Sequence, residues 1–172
     1  MTKMSDPTDP AAAMTDRFGA LSLRMLNDTS LSAAWRVNFL ANFFTGPIYR
    51  ELAAEFDLSR PGFVILYSLA QQPGLVARDI GLVTGLPKNS LSRAVSELLG
   101  RGLIRRETDS GDRRAKVLTL TASGQALLDQ VVPLIEARQA AMVAVLTPEE
   151  AETFDHLLLK IIYAMPGWVE SE

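Results

Sequence analysis

Just after Pro87 the chain places Lys88, Asn89, Ser90, Ser92, Arg93 and Ser96 in one short stretch. These residue types suit recognition of a polyanion with readable edges. An asparagine amide pairs with adenine at two points, and arginine or lysine pairs with guanine. Small serines let a backbone approach phosphates, and a helix N-terminus attracts them. Further on comes Asp112-Arg113-Arg114. Arginine gains from the concentrated negative potential of a narrow minor groove. Asp112 is expected to orient an arginine, since phosphate repels a carboxylate. This spacing implies double-stranded DNA as the partner.

Bond-making chemistry finds less support. The chain of 172 residues has no cysteine, which excludes disulfides, thiolate catalysis and cysteine-based metal sites. Its one histidine, His156, cannot supply the usual zinc ligand set. It reads as a surface or interface residue. Gly81-Leu82-Val83-Thr84-Gly85 lacks the lysine of a phosphate-binding loop and follows no predicted strand. No nucleophile stands beside a base, so neither an enzyme nor a bound cofactor is expected. No secretory signal is visible from Met1 to Asp16, and no apolar run reaches membrane-spanning length. The expectation is a cytoplasmic protein with no membrane partner.

Net charge is -3, but its distribution favours a polyanion. Leu86 to Lys116 holds eight basic and four acidic residues, a net of +4, which leaves -7 elsewhere. A basic face on an acidic body orients a molecule on DNA.

The elements that must hold these groups follow from periodicity and punctuation. Met1 to about Leu26 reads as a loose arm with a helical end. Leu31 to Phe56 reads as a long helix, with Trp35, Phe39, Phe43 and Ile48 at broadly helical steps and a kink or break expected at Gly46-Pro47. Ser59 caps a largely apolar helix that stops near Pro73-Gly74. Leu75 to Val83 forms a short helix, Thr84-Gly85-Leu86 a turn, and Pro87 opens the next helix. In that helix Leu91, Val95 and Leu98 share one face and the polar residues named above the other. Leu103 to Glu107 and Ala115 to Leu120 read as strands of a hairpin. Thr121 caps a helix to about Leu146. Thr147-Pro148-Glu149-Glu150 starts the last one with a capping box, ending near Met165-Pro166-Gly167.

Pro73-Gly74, Asp79-Ile80, Thr84-Gly85-Leu86, Ser92-Arg93, Leu98, Arg101-Gly102-Leu103-Ile104-Arg105-Arg106, Asp109, Asp112-Arg113-Arg114, Leu118, Leu120-Thr121 and Gly124 together resemble the MarR-type (multiple antibiotic resistance regulator) winged helix-turn-helix family. The resemblance spans about Leu31 to Met165 in element order and is specific from Leu58 to Gly124. It implies a mostly α fold with a small β-hairpin wing, the N- and C-terminal helices forming a dimerisation region. It also implies a homodimeric bacterial regulator, usually a repressor on a pseudo-palindromic operator, often released by a small aromatic or phenolic effector. Two departures stand out. Gly46-Pro47 interrupts the first long helix, and the lack of cysteine excludes a thiol-oxidation switch.

The expected organisation is an arm over residues 1–30, dimerisation helices at 31–57 and 121–166, and a winged lobe at 58–120, forming one intertwined domain. Leu127, Val131, Leu134 and Ile135, then Leu157, Leu158, Ile161 and Ile162, carry more apolar surface than a small lobe can cover. A second subunit would bury it. The alternative is that these helices fold back on Trp35 and Phe39. Trp35, Arg36, Phe39, Phe43 and Tyr67 are the candidates for an effector pocket at the junction of the long helix, the Phe63 helix and the winged lobe. A module that uses the winged lobe to bind protein instead of DNA is the competing function. It would survive neutralisation of Arg113 and Lys88.

Overall fold

The computed structural model describes residues 9–108 and 116–169. The order is helical except for one antiparallel strand pair, in keeping with the fold class read from the sequence. The chain divides into two compact units, residues 1–50 and 51–172.

In the first unit, the stretch expected to be a loose arm with a helical end makes two helices, α1 (Pro10–Phe18) and α2 (Ala20–Asn27), the second at the end where a helix was expected. The Asp9 side chain caps α1 by accepting from the Ala11 N–H at 2.9 Å. Gly19, at φ +81, makes the corner between them. The long helix α3 (Ser32–Phe56) follows, its last residues from Glu51 on belonging to the second unit. Phe18 sets its ring edgewise on Phe39 and Phe43, at centroid distances of 5.2 and 4.7 Å. The Arg36 Nε donates to the Leu26 carbonyl at 2.9 Å. The end of α2 is thus tied to the start of α3 by a charge-assisted bond.

Of the kink or break expected at Gly46-Pro47, the break is absent, and α3 runs through Pro47 as one helix. Proline removes the bond its own N–H would make to Phe43, and the helical turns on either side continue without it. The end of α3 is unusual. Asp57, at φ +49, is the one non-glycine in the left-handed region among the described residues. That conformation costs an L-residue roughly 1–2 kcal/mol, and aspartate is among the few that visit it. The Leu58 N–H then turns back to the Leu52 carbonyl at 3.0 Å.

In the second unit, α4 (Arg60–Gln71) starts as expected, with the Ser59 hydroxyl accepting from the Gly62 N–H at 3.2 Å. It buries Ile65, Leu66 and Leu69, while Tyr67 remains partly exposed. The short helix α5 (Ala77–Thr84) begins later than the sequence suggested. Leu75 was expected inside it and instead pairs with Leu118 as an isolated bridge. Gly74, at φ +81, swings the chain alongside, so that its N–H and the Leu75 carbonyl both bond Leu118. Backbone pairing satisfies groups that a first helical turn would leave open.

Helix α6 (Lys88–Gly100) leads into β1 (Ile104–Thr108) and β2 (Lys116–Leu120), in register Ile104 with Leu120 through Thr108 with Lys116. Helices α7 (Ala122–Val143) and α8 (Pro148–Tyr163) complete the chain, α8 with the expected capping box of Thr147 and Glu150. No single helix among the described residues is long and apolar enough to cross a membrane.

The wing root is fastened to α7 at one point. The Thr121 hydroxyl donates towards the carbonyls of Gly102 and Leu103, at 2.7 and 3.0 Å, and accepts from the Gly124 N–H at 3.1 Å. Gly124 is buried there, and a Cβ on it would lie 2.1 Å from the Leu103 oxygen. Backbone cannot yield as a flexible side chain can. Gly124→Ala should therefore lower stability by about 2 kcal/mol or more, read as a fall in the urea midpoint. An unchanged midpoint would show that this approach is not constrained.

Candidate nucleic-acid interface

The turn ahead of α6 is built by local chemistry. Gly85, at φ +63, closes α5, and its N–H donates to the Gly81 carbonyl at 3.0 Å. The Thr84 hydroxyl donates to Ile80 and accepts from the Leu86 N–H. Pro87, with φ -58 and ψ 137, is the N-cap of α6 and provides no side-chain cap. The first-turn N–H groups of α6 therefore point outward without a side-chain acceptor at the cap, an arrangement that suits phosphate.

Leu91, Ala94, Val95 and Leu98 bury one face of α6. The opposite face carries the residues singled out in the sequence. Pro87, Lys88, Asn89, Ser92, Arg93 and Ser96 are exposed, and Ser90 is half-buried. Asn89, Ser92, Arg93 and Ser96 follow the three- and four-residue helical steps of a single face. The side chains of Lys88, Asn89 and Arg93 make no hydrogen bond or ion pair with other described residues. Ser96 differs, because its hydroxyl donates to the Ser92 carbonyl at 3.0 Å. Asp112, Arg113 and Arg114 lie outside the described residues.

Two features were not read from the sequence. Arg78 and Lys88 line a groove of about 480 Å³ between α5 and α6, with Leu82, Leu86 and Leu91 among its walls. Arg78 stands in the first turn of α5, beside Asp79 at 3.8 Å, and its exposure next to a helix-turn-helix was the signal available. The second feature is at the wing root. Arg105 donates from Nε to the Thr119 hydroxyl at 2.9 Å and pairs with Glu107 at 2.8 Å. An exposed pair of this kind contributes at most about 1 kcal/mol, but it fixes which way this cation points.

The effector candidates fall as follows. Trp35, Phe39 and Phe43 line a cavity of about 410 Å³ with Leu21, Met25, Asn38 and Asn42. Arg36 holds the Leu26 carbonyl and approaches the Asn27 side chain. Tyr67 lines another cavity, of about 420 Å³, with Phe63, Val132, Ile135, Glu136 and Gln139.

The sequence model of the MarR family matches residues 56–115, which contain α4, α5, α6 and β1. Over that segment the chain matches the MarR family. Relatives extend the match beyond that segment. The transcriptional regulator HosA of Escherichia coli O157:H7 is 29% identical over 108 residues, covering 62% of this chain and 78% of HosA. A MarR-family regulator from Silicibacter pomeroyi superposes with a TM-score of 0.70 at 27% identity, covering 81% of this chain and 92% of that one. MepR of S. aureus, solved as a DNA complex, gives a TM-score of 0.67 at 22% identity over 80% and 99% of the two chains. The matched family and these relatives are transcriptional regulators, not enzymes.

Asn89 and Arg93 are exposed, so their loss should leave the fold intact. Asn89→Ala and Arg93→Ala should each weaken binding to a preferred duplex by about 1–3 kcal/mol and relax preference at defined bases. Competition binding against single-base variants of that duplex checks this. Equal losses on every sequence would show that these residues only hold phosphate.

Proposed function

We propose that the protein is a homodimeric, ligand-responsive repressor that reads a pseudo-palindromic operator in the bacterial cytoplasm. The observation that carries this reading is α6. It offers Lys88, Asn89 and Arg93 from an exposed face at the end where its N–H groups are also open. A helix inserted by its N-terminal end reads base edges in the major groove. Ser90, Ser92 and Pro87 let its backbone come close, and Arg113 or Arg114 reaches the adjacent minor groove.

Dimerisation is supported by α8, which buries no residue in the single chain. Leu157, Leu158, Ile161 and Ile162 are 51, 39, 57 and 50% exposed, more contiguous apolar surface than a lone soluble chain usually presents. In this reading residues 31–57 and 121–166 form the dimerisation region, and residues 58–120 the DNA-reading lobe. Two-fold symmetry would set the recognition helices roughly 34–36 Å apart.

The test is selection from a pool of random duplexes by the purified protein, followed by sequencing. Enrichment of an inverted repeat with half-sites one helical turn apart is expected. Affinity should fall steeply with salt, because neutralised phosphates release counterions. Lack of enrichment at low salt would shift weight to the protein-binding module.

For the effector, the Trp35, Phe39 and Phe43 walls fit a planar aromatic molecule. Beside Tyr67, Glu136 disfavours a phenolate or carboxylate. Arg36 is engaged with backbone, so the ligand's polar edge falls to Asn38 and Asn42. A phenolic library should contain a compound that weakens operator binding, and Trp35→Ala should abolish that response while leaving the ligand-free affinity unchanged. A response that survives the substitution would place the effector elsewhere.

A further inference from the structure

The side chain of Arg101 joins two helix ends that lie far apart in sequence. Its backbone caps α6, the N–H donating to the Glu97 carbonyl at 2.9 Å. Its guanidinium reaches back to the end of α3. Nη2 donates to the Phe56 carbonyl at 3.0 Å, and Nη1 donates to the Asp57 carbonyl. Glu97 and Asp57 flank the same nitrogen with carboxylate oxygens at 3.4 and 3.9 Å. The side chain is only 29% exposed.

The last carbonyls of a helix lack intrahelical donors and carry partial negative charge. At α3 the turn through Asp57 lets the Leu58 N–H serve the Leu52 carbonyl, and Arg101 supplies donors to the carbonyls of Phe56 and Asp57. A planar guanidinium offers several donors in a fixed fork, so it can serve two carbonyls at a defined angle. Leu58, next to Asp57, and Leu98, near the end of α6, are fully buried. A Cβ on the adjacent Gly62 would touch both, at 3.0 and 3.8 Å. The C-terminal end of α6 is thus tied to the corner after α3 by a polar fork.

Arg101 is at the opposite end of α6 from Lys88 and Asn89, roughly 20 Å along the axis at 1.5 Å per residue. An angular change at a pinned end is translated along the helix into a displacement at the reading end. We infer that Arg101 is a positioning residue for sequence-specific DNA reading. It sets the direction in which α6 leaves the α3 corner, and it does so without contacting DNA. This inference rests on the reading of α6 as the base-reading helix.

The test compares Arg101→Met and Arg101→Lys with the wild-type protein, on the duplex that the wild type selects and on a scrambled duplex. Binding is measured over a range of salt, at a temperature where all three are folded by circular dichroism. Both variants should lose about tenfold in the ratio of specific to scrambled binding, comparable to one good base contact. Scrambled binding and the salt slope should stay as in wild type. Lysine keeps the charge but not the fork, so it should not restore the ratio. Where Arg101→Met does not fold, Arg101→Lys carries the test alone.

Restoration by lysine, or in the methionine variant a salt slope reduced by about one, would overturn the inference in favour of a phosphate contact. An unchanged ratio with a lowered melting temperature would overturn it in favour of a purely structural bond. A wild-type protein with no preference between the two duplexes would remove the base-reading assignment itself, and that result is visible before any variant is compared.

Discussion

The approach of α7 to the Leu103 carbonyl is the constraint around which the second unit is arranged. Four groups meet at this one peptide. The Thr121 N–H and hydroxyl both address the Leu103 oxygen, Gly124 lies against it without a side chain, and the Leu103 N–H reaches back to Leu98 at the end of α6. Helix α6, wing root and α7 are therefore referenced to a single backbone position. Because close packing leaves no slack there, the strand register of the wing and the exit of α7 are set together.

Much of this was legible in the sequence, and the reasons are local. Ser59, Thr121 and Thr147 announce helix starts through short side chains that accept from the N–H three residues on. Gly85 and Pro87 announce the turn into α6. The buried and polar faces of α6 followed from spacing alone. The MarR-type resemblance was carried by residues between Pro73 and Gly124, and the family match falls across most of that segment.

What the sequence hid was long-range. Nothing near Leu75 says that it will pair with Leu118, since its partner is set by the path of the chain beyond α6. Pro47 looked like a breaker because proline is penalised locally, yet α3 continues past it. Arg101 read as one more basic residue of the DNA face. Only the fold shows its side chain spent on Phe56 and Asp57, which lowers the count of cations available to a polyanion. Arg105, paired with Glu107, is a second cation whose charge is partly answered at home. The aromatic residues of α3 announced a cluster but not its lid, because α1 and α2 supply Phe18, Leu21 and Met25 from a stretch read as an arm.

The internal bond of Ser96 has a consequence for what a duplex would meet. A serine hydroxyl has one proton to give and two lone pairs, and here the proton is committed to the Ser92 carbonyl. Towards a base edge Ser96 is then a pure acceptor. It suits the exocyclic amino group of cytosine or adenine and has nothing to offer the O6 of guanine or the O4 of thymine. In the proposed reading, a rotamer settled within the helix would thus restrict the alphabet open to this position.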